Sequence, residues 1–193
     1  LAQGASNGEP GLYLGTSETE GEIEEVMHCH GWPMEHVNIH HQGQASHESD
    51  VMQTMLHPSE VELPRIMEAL LSKVEQVKPS RLVIDSLTEI RVLCREEAWY
   101  RQQLMTLKRY FIERACTVLL TDVPRGQVPI LSSLVHGIIE LEQLKPAYGP
   151  DRRRLRLAKL RGQAYSLGYH DYQIVTGGLA VYPRLVAAEH RQQ

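Results

Sequence analysis

Between two long helix-period patterns, over residues 62–77 and 95–115, lies a short apolar run, Leu82-Val83-Ile84, that closes on Asp85. A run this short reads as a buried strand, and strands buried on both faces belong to parallel sheets covered by helices. The rest of the chain fits that frame. The turn Asn7-Gly8-Glu9-Pro10-Gly11 leads into a strand, Leu12-Tyr13-Leu14-Gly15-Thr16. Thr19 stands three residues before Glu22, a capping-box spacing that starts a helix. Ile23, Val26, Met27 and His30 form the apolar side of that helix, and Gly31 and Pro33 end it. Val37 to His41 reads as a short strand, and residues 42–60 as polar and irregular. Leu63, Ile66, Met67, Leu70, Val74 and Val77 share one face of the helix over 62–77. Tyr100, Leu104, Leu107 and Phe111 do the same over 95–115. Cys116 to Leu120 and Gly137 to Leu141 read as strands. From Arg152 the pattern changes to hairpin strands over 154–160, 172–176 and 179–182, with Gly177-Gly178 as a tight turn.

Strand–helix alternation followed by hairpins predicts an α/β fold. Its central sheet is mostly parallel and flanked by helices on both faces, with antiparallel hairpins at one edge. In such sheets ligands bind beyond the carboxyl ends of the strands. That rule selects Glu18, Asp85, Ser86, Thr121 and Asp122. The 193 residues, 42% hydrophobic and 23% charged, suffice for one domain with a sizeable core. A formal net charge of −4 gives no global attraction to nucleic acid or to an anionic membrane. No apolar run approaches membrane-spanning length. Cys29, Cys94 and Cys116 are odd in number and far apart, which points to a reducing cytoplasm.

Asp85 emerges at the end of a buried strand, where an acid can hold a magnesium ion through water. Glu18 follows the strand over 12–16. It can polarise a water for attack on a γ-phosphate or complement the start of the next helix. Along residues 152–161, strict alternation puts Arg153, Leu155, Leu157, Lys159 and Arg161 on one face. Arg152, Arg154 and Arg156 on the other read as a solvated basic edge. Lys159 and Arg161, followed by Gly162, suit gripping a phosphate. Five histidines, His28, His30, His40, His41 and His47, fall in a polar stretch with no helical His-x-x-x-His pair and no zinc-spaced cysteine, so no metal site is expected of them. No Gly-x-x-x-x-Gly-Lys-Ser/Thr loop occurs in the 193 residues.

Taken together, these segments resemble the KaiC-like branch of RecA-fold ATPases, the family of the circadian clock protein, from Gly8 to Pro183. Glu9-Pro10-Gly11-Leu12-Tyr13-Leu14 is similar to the family's second core strand. Gly31-Trp32 matches the pair that closes the next helix. Leu82-Val83-Ile84-Asp85-Ser86 matches the Walker B strand, and Lys159-Leu160-Arg161-Gly162 matches the Lys-x-Arg-Gly strand that reaches a neighbouring subunit's nucleotide. The family's paired glutamates read Ser17-Glu18 here, so the base role passes to Glu18 alone. Ser132-Ser133 falls near the clock protein's phosphorylated pair and reads as two polar residues in a loop.

The resemblance implies a domain over 1–186 that binds ATP and Mg2+, hydrolyses ATP slowly and assembles into a ring, a hexamer by resemblance, or a filament that signals to a partner protein. Asp85 would hold Mg2+ through water. Ser86, Thr121, Lys159 and Arg161 would contact the nucleotide. The chain opens about where the helix after the phosphate loop should end, and a truncated coding sequence or domain fragment explains this better than a degenerate ATPase. Residues 187–193 would be a polar tail or a linker to a second domain. Two other classes compete. A DNA-binding recombinase relative needs a basic groove with stacking residues, but residues 122–134 carry one cation, Arg125, and no aromatic, so nucleic acid is not the expected partner. A non-catalytic interaction module is favoured by Ser17 and the missing loop, and opposed by Asp85, Lys159 and Arg161.

Overall fold

The computed structural model describes residues 1–41, 58–94, 96–123 and 129–184. His47 and its polar stretch over 42–57, Arg125, and the tail from 187 onward lie outside the described residues. The chain divides into two units, Leu1–Gln127 and Val128–Gln193.

In the first unit, β1 (Gly11–Gly15), β2 (Val37–His41), β3 (Arg81–Asp85) and β4 (Thr117–Leu120) form a sheet in the order β2-β1-β3-β4. All three strand pairs are parallel, with Leu12 opposite Leu82 and Leu14 opposite Ile84. These four side chains share one face and are buried. Full burial of each contributes about 1.5–3 kcal/mol. Period-2 alternation then puts Tyr13, Gly15, Val83 and Asp85 on the opposite face.

The helices are α1 (Ala2–Ser6), α2 (Glu20–His30), α3 (Pro58–Val77), α4 (Leu87–Leu93) and α5 (Glu97–Ile112). α2 begins with the expected capping box: Thr19 accepts from the Glu22 amide, and the Glu22 carboxylate accepts from the Thr19 amide. Gly31 ends it in the left-handed region, at φ 67°. Only Met27 of its expected apolar face is buried, and Val26 is exposed. With glutamates at 20, 22, 24 and 25, only a narrow stripe of α2 is free to be apolar. Met67, Leu70 and Val74 of α3 and Tyr100, Leu104 and Leu107 of α5 are buried, as their periodicity requires.

The helix expected over 95–115 is α5, and a further helix that sequence reading did not expect, α4, precedes it. α4 begins directly after β3, where the Ser86 hydroxyl accepts from the Thr88 amide and caps it. Its Leu87 and Ile90 are buried. A seven-residue helix offers too few turns for its period to stand out in sequence.

The second unit holds α6 (Pro129–Leu134) and an antiparallel sheet, β5 (Gly137–Leu144), β6 (Arg152–Leu160), β7 (His170–Val175) and β8 (Gly178–Tyr182), in that order. Ser132 and Ser133 therefore lie on a helix and not in a loop. Thr176 and Gly177 form the β7–β8 turn, with Gly177 at φ 94°. β6 pairs with β5 on one side and, at Arg154 and Leu155, with β7 on the other, so its arginines are not an edge row, although Arg152 stays exposed. Arg154 pairs with Glu142 on β5 at 2.7 Å, Arg156 with Glu140, and Arg152 with Asp171 on β7 at 2.7 Å.

A bulge alters the expected faces of β6. Ile139 stands opposite Leu157, but Ile138 stands opposite Lys159, leaving Ala158 as the extra residue. Lys159 therefore shares a face with Ile138, away from Leu155 and Leu157. Simple alternation had put all three together. Among the described residues, no helix is long and apolar enough to cross a membrane.

Candidate functional site

The carboxyl end of the parallel sheet brings Asp85, Ser86 and Thr121 together. Register puts Asp85 directly opposite Gly15. Gly15 has no side chain, so the ring of Tyr13, two residues back on the same face, fills the space. A Cβ on Gly15 would lie 3.0 Å from Tyr13 Cε1. The Tyr13 hydroxyl then donates to Asp85 Oδ2 at 2.7 Å. From the other side, Thr121 Oγ1 donates to Asp85 Oδ1 at 2.5 Å. Each carboxylate oxygen thus has one protein donor and keeps acceptor capacity for another. Burial, the hydrogen bond to Asp85, and the charges of Asp85 and Glu18 hold the Tyr13 phenol well above its ordinary range. Tyr13 is therefore a neutral donor at neutral pH.

Thr16 clamps the peptide between Asp85 and Ser86. Its amide donates to the Asp85 carbonyl at 2.8 Å. Its hydroxyl donates to that carbonyl at 3.2 Å and accepts from the Ser86 amide at 3.1 Å. The Asp85–Ser86 peptide is cis. β4 is tied to the same place: the Thr121 amide donates to the Ile84 carbonyl at 3.1 Å, and the Leu87 amide to the Thr121 carbonyl at 3.0 Å. Asp122 follows with its side chain mostly buried and ion-paired to Arg91 of α4. The Arg91 guanidinium lies 5.3 Å from the centre of the Tyr100 ring. Sequence alone did not single out Tyr13, Thr16 or Arg91. The available signal was Gly15, because a glycine inside a strand marks close approach.

Glu18 is exposed in the turn after β1, just before α2. Its charge acts on Tyr13, which places it near the same end of the sheet. The groups present fit a magnesium ion held through water: an orientated carboxylate, half-buried, with hydroxyls of Thr16 and Thr121 around it. They do not supply a phosphate cradle, because the loop of amides and lysine is not among the 193 residues.

Lys159 and Arg161 belong to the second unit, where both serve the carboxyl end of α6. Lys159 Nζ donates to the Ser132 carbonyl and, at 2.9 Å, to the Val135 carbonyl. Arg161 Nη2 donates to the Ser133 carbonyl at 2.9 Å. The last carbonyls of a helix lack intrahelical partners and carry its negative end, so cations there are stabilising. The Arg161 amide also donates to the His136 carbonyl at 2.9 Å. The two cations act as a pair despite the bulge between Lys159 and the rest of β6.

Comparison with known proteins gives the same reading of the fold. A UPF0273 protein of Pyrococcus horikoshii is 26% identical over 95% of this chain and 78% of its own length. One from Thermotoga maritima is 27% identical over 93% of this chain and 78% of its own length. The crystal structure of a KaiC-like protein from P. horikoshii superposes with a TM-score of 0.72 at 22% identity, covering 94% of this chain and 80% of that one. That likeness shows the fold, an α/β architecture of the RecA type with a parallel and an antiparallel sheet. The family profile described as "ATPase: KaiC" matches residues 1–186, and the chain belongs to that KaiC ATPase family.

Proposed function

We propose that this chain is a cytoplasmic ATP-binding domain, spanning 1–186, that works in an oligomer and passes its nucleotide state to a signalling partner. The observation that carries the reading is the Asp85 carboxylate, fixed by the Tyr13 and Thr121 hydroxyls at the carboxyl end of β3. That is where a ligand of a parallel sheet binds. Asp85 would hold Mg2+ through water, with Ser86 and Thr121 beside the nucleotide. Glu18 would orientate the attacking water in slow hydrolysis. Lys159 and Arg161 would act on a neighbouring subunit's nucleotide in a ring, a hexamer by family resemblance. A bound Mg2+ supplies charge neutralisation at the phosphates.

These 193 residues by themselves should bind nucleotide weakly and not hydrolyse it, because the main phosphate contacts are missing. Calorimetry with ATP and Mg2+ tests this directly. Tight binding would show that the phosphates find another cradle. A second reading, a non-catalytic interaction module, is supported by the engagement of Lys159 and Arg161 with the carbonyls of α6. Activity in an extended chain carrying a phosphate loop ahead of Leu1 separates the two.

A further inference from the structure

The charged face of the second unit repeats one pattern twice and then breaks it. On β5 and β6, Glu140 faces Arg156 and Glu142 faces Arg154, and both pairs are ion-paired. The next position in the same register is Leu144 opposite Arg152. Here the arginine has no acid beside it on β5. Arg152 instead turns to Asp171 on β7, in a pair whose side chains are 64% and 53% exposed, so the pairing is worth little.

At this break the surface opens into a cleft of about 360 Å³, lined among others by Leu144, Arg152, Arg154, Tyr182 and Arg184. The walls are built and not incidental. Arg154 lies over the Tyr169 ring at 3.8 Å from its centre, and the Tyr169 hydroxyl donates to Glu142 at 2.6 Å. The Arg184 amide donates to Nδ1 of the buried His170 at 2.9 Å. The Arg184 guanidinium runs over Gly168, where a Cβ would lie 3.0 Å from its Nη1. Gly168 also sits at φ 94°, so only glycine suits that position.

We infer that this cleft is a docking site for an extended, acidic segment of a partner protein, whose carboxylate completes the unfilled step beside Arg152 and Arg184. Among the described residues, three arginines line the cleft against a single lining carboxylate, Asp171. The chain as a whole carries −4, so this attraction is local. Carboxylates suit the site because the molecule itself fills the two preceding positions with them. Along an extended segment, side chains two apart share one face, so an alternating acidic segment turns a row of carboxylates toward Arg152. Tyrosine and arginine are the side chains that anchor protein interfaces, and Leu144 and Tyr182 offer apolar contact beside the charges.

The test uses the full chain and a fluorescein-labelled hexapeptide that alternates Glu and Leu, with its Gln–Leu counterpart as control, read by fluorescence anisotropy. The Glu peptide should bind, weaken as salt rises, and outbind the Gln peptide. Arg184→Glu should weaken it at least about tenfold. Leu144→Glu should do the same, because it supplies the missing acid from within the chain. Arg101→Glu, on α5, should leave binding unchanged. If Arg184→Glu fails to fold by circular dichroism, Leu144→Glu decides. Absence of binding, unchanged binding in Leu144→Glu, or an equal loss in Arg101→Glu would overturn the inference. So would self-association of the chain that the Glu peptide dissolves, because the occupant would then be a second copy.

Discussion

Tyr13 donates its hydroxyl proton to the Asp85 carboxylate at 2.7 Å, across the bare backbone of Gly15. Sheet register puts these three residues on one face, and the missing side chain lets the ring reach. Tyr13→Phe removes one donor from a carboxylate and should cost about 1–2 kcal/mol in urea denaturation. Gly15→Ala pushes the ring aside and should cost a similar amount. Because both changes break the same bond, the double variant should lose less than the two single losses added together. Full additivity would mean that Gly15 serves the fold in some other way.

In an extended chain with a phosphate loop, Asp85→Asn should weaken magnesium-dependent ATP binding. Glu18→Gln should keep binding and slow hydrolysis, because only the transition state needs the base. Loss of a positioned base costs on the order of 10²–10⁴ in rate. Hydrolysis at the parent rate in Glu18→Gln would place the base elsewhere.

The same extended chain tests whether Lys159 and Arg161 act across a subunit boundary. Arg161→Ala and Asp85→Asn should each be nearly inactive alone. Mixed, they should recover part of the activity, since some interfaces pair an intact Asp85 with an intact Arg161. Mixtures that co-assemble and stay inactive would return the pair to service within one subunit.

The three free thiols should separate by rate. Cys94 is buried and Cys116 half-buried, and burial pushes both thiols above the ordinary range. Fewer of them are thiolate at a given pH, and the thiolate is the reactive form. Cys29 is exposed. With Ellman's reagent at mildly alkaline pH, the folded chain should show one fast thiol, and Cys29→Ser should remove it. Three equal rates in the folded chain would contradict the packing around Cys94.

The parallel sheet was legible because its strands are short apolar runs between amphipathic helices, and Asp85 was legible because a lone acid ended one of them. Thr19 and Glu22 announced α2 through a local spacing that the structure keeps. What escaped was non-local. Tyr13 and Thr16 reach Asp85 over about seventy residues of chain, through a strand register that no single segment encodes. The faces of β6 were misread because alternation assumes an unbroken ladder, and the extra residue at Ala158 reverses everything after it. Its arginines were misread as an edge because the acids that neutralise them sit on other strands.

The grip of Lys159 and Arg161 on α6 gives any anion that claims them a second effect. Their ammonium and guanidinium protons close the carbonyls of Ser132, Ser133 and Val135. An anion strong enough to draw the cations away leaves those carbonyls to water, and the last turn of α6 loosens. Occupancy at one end of β6 is thereby written into the fraying of a six-residue helix. Amide hydrogens near Leu134 and Val135 should exchange faster when the cations are taken, so the helix reports on a charge that it never touches.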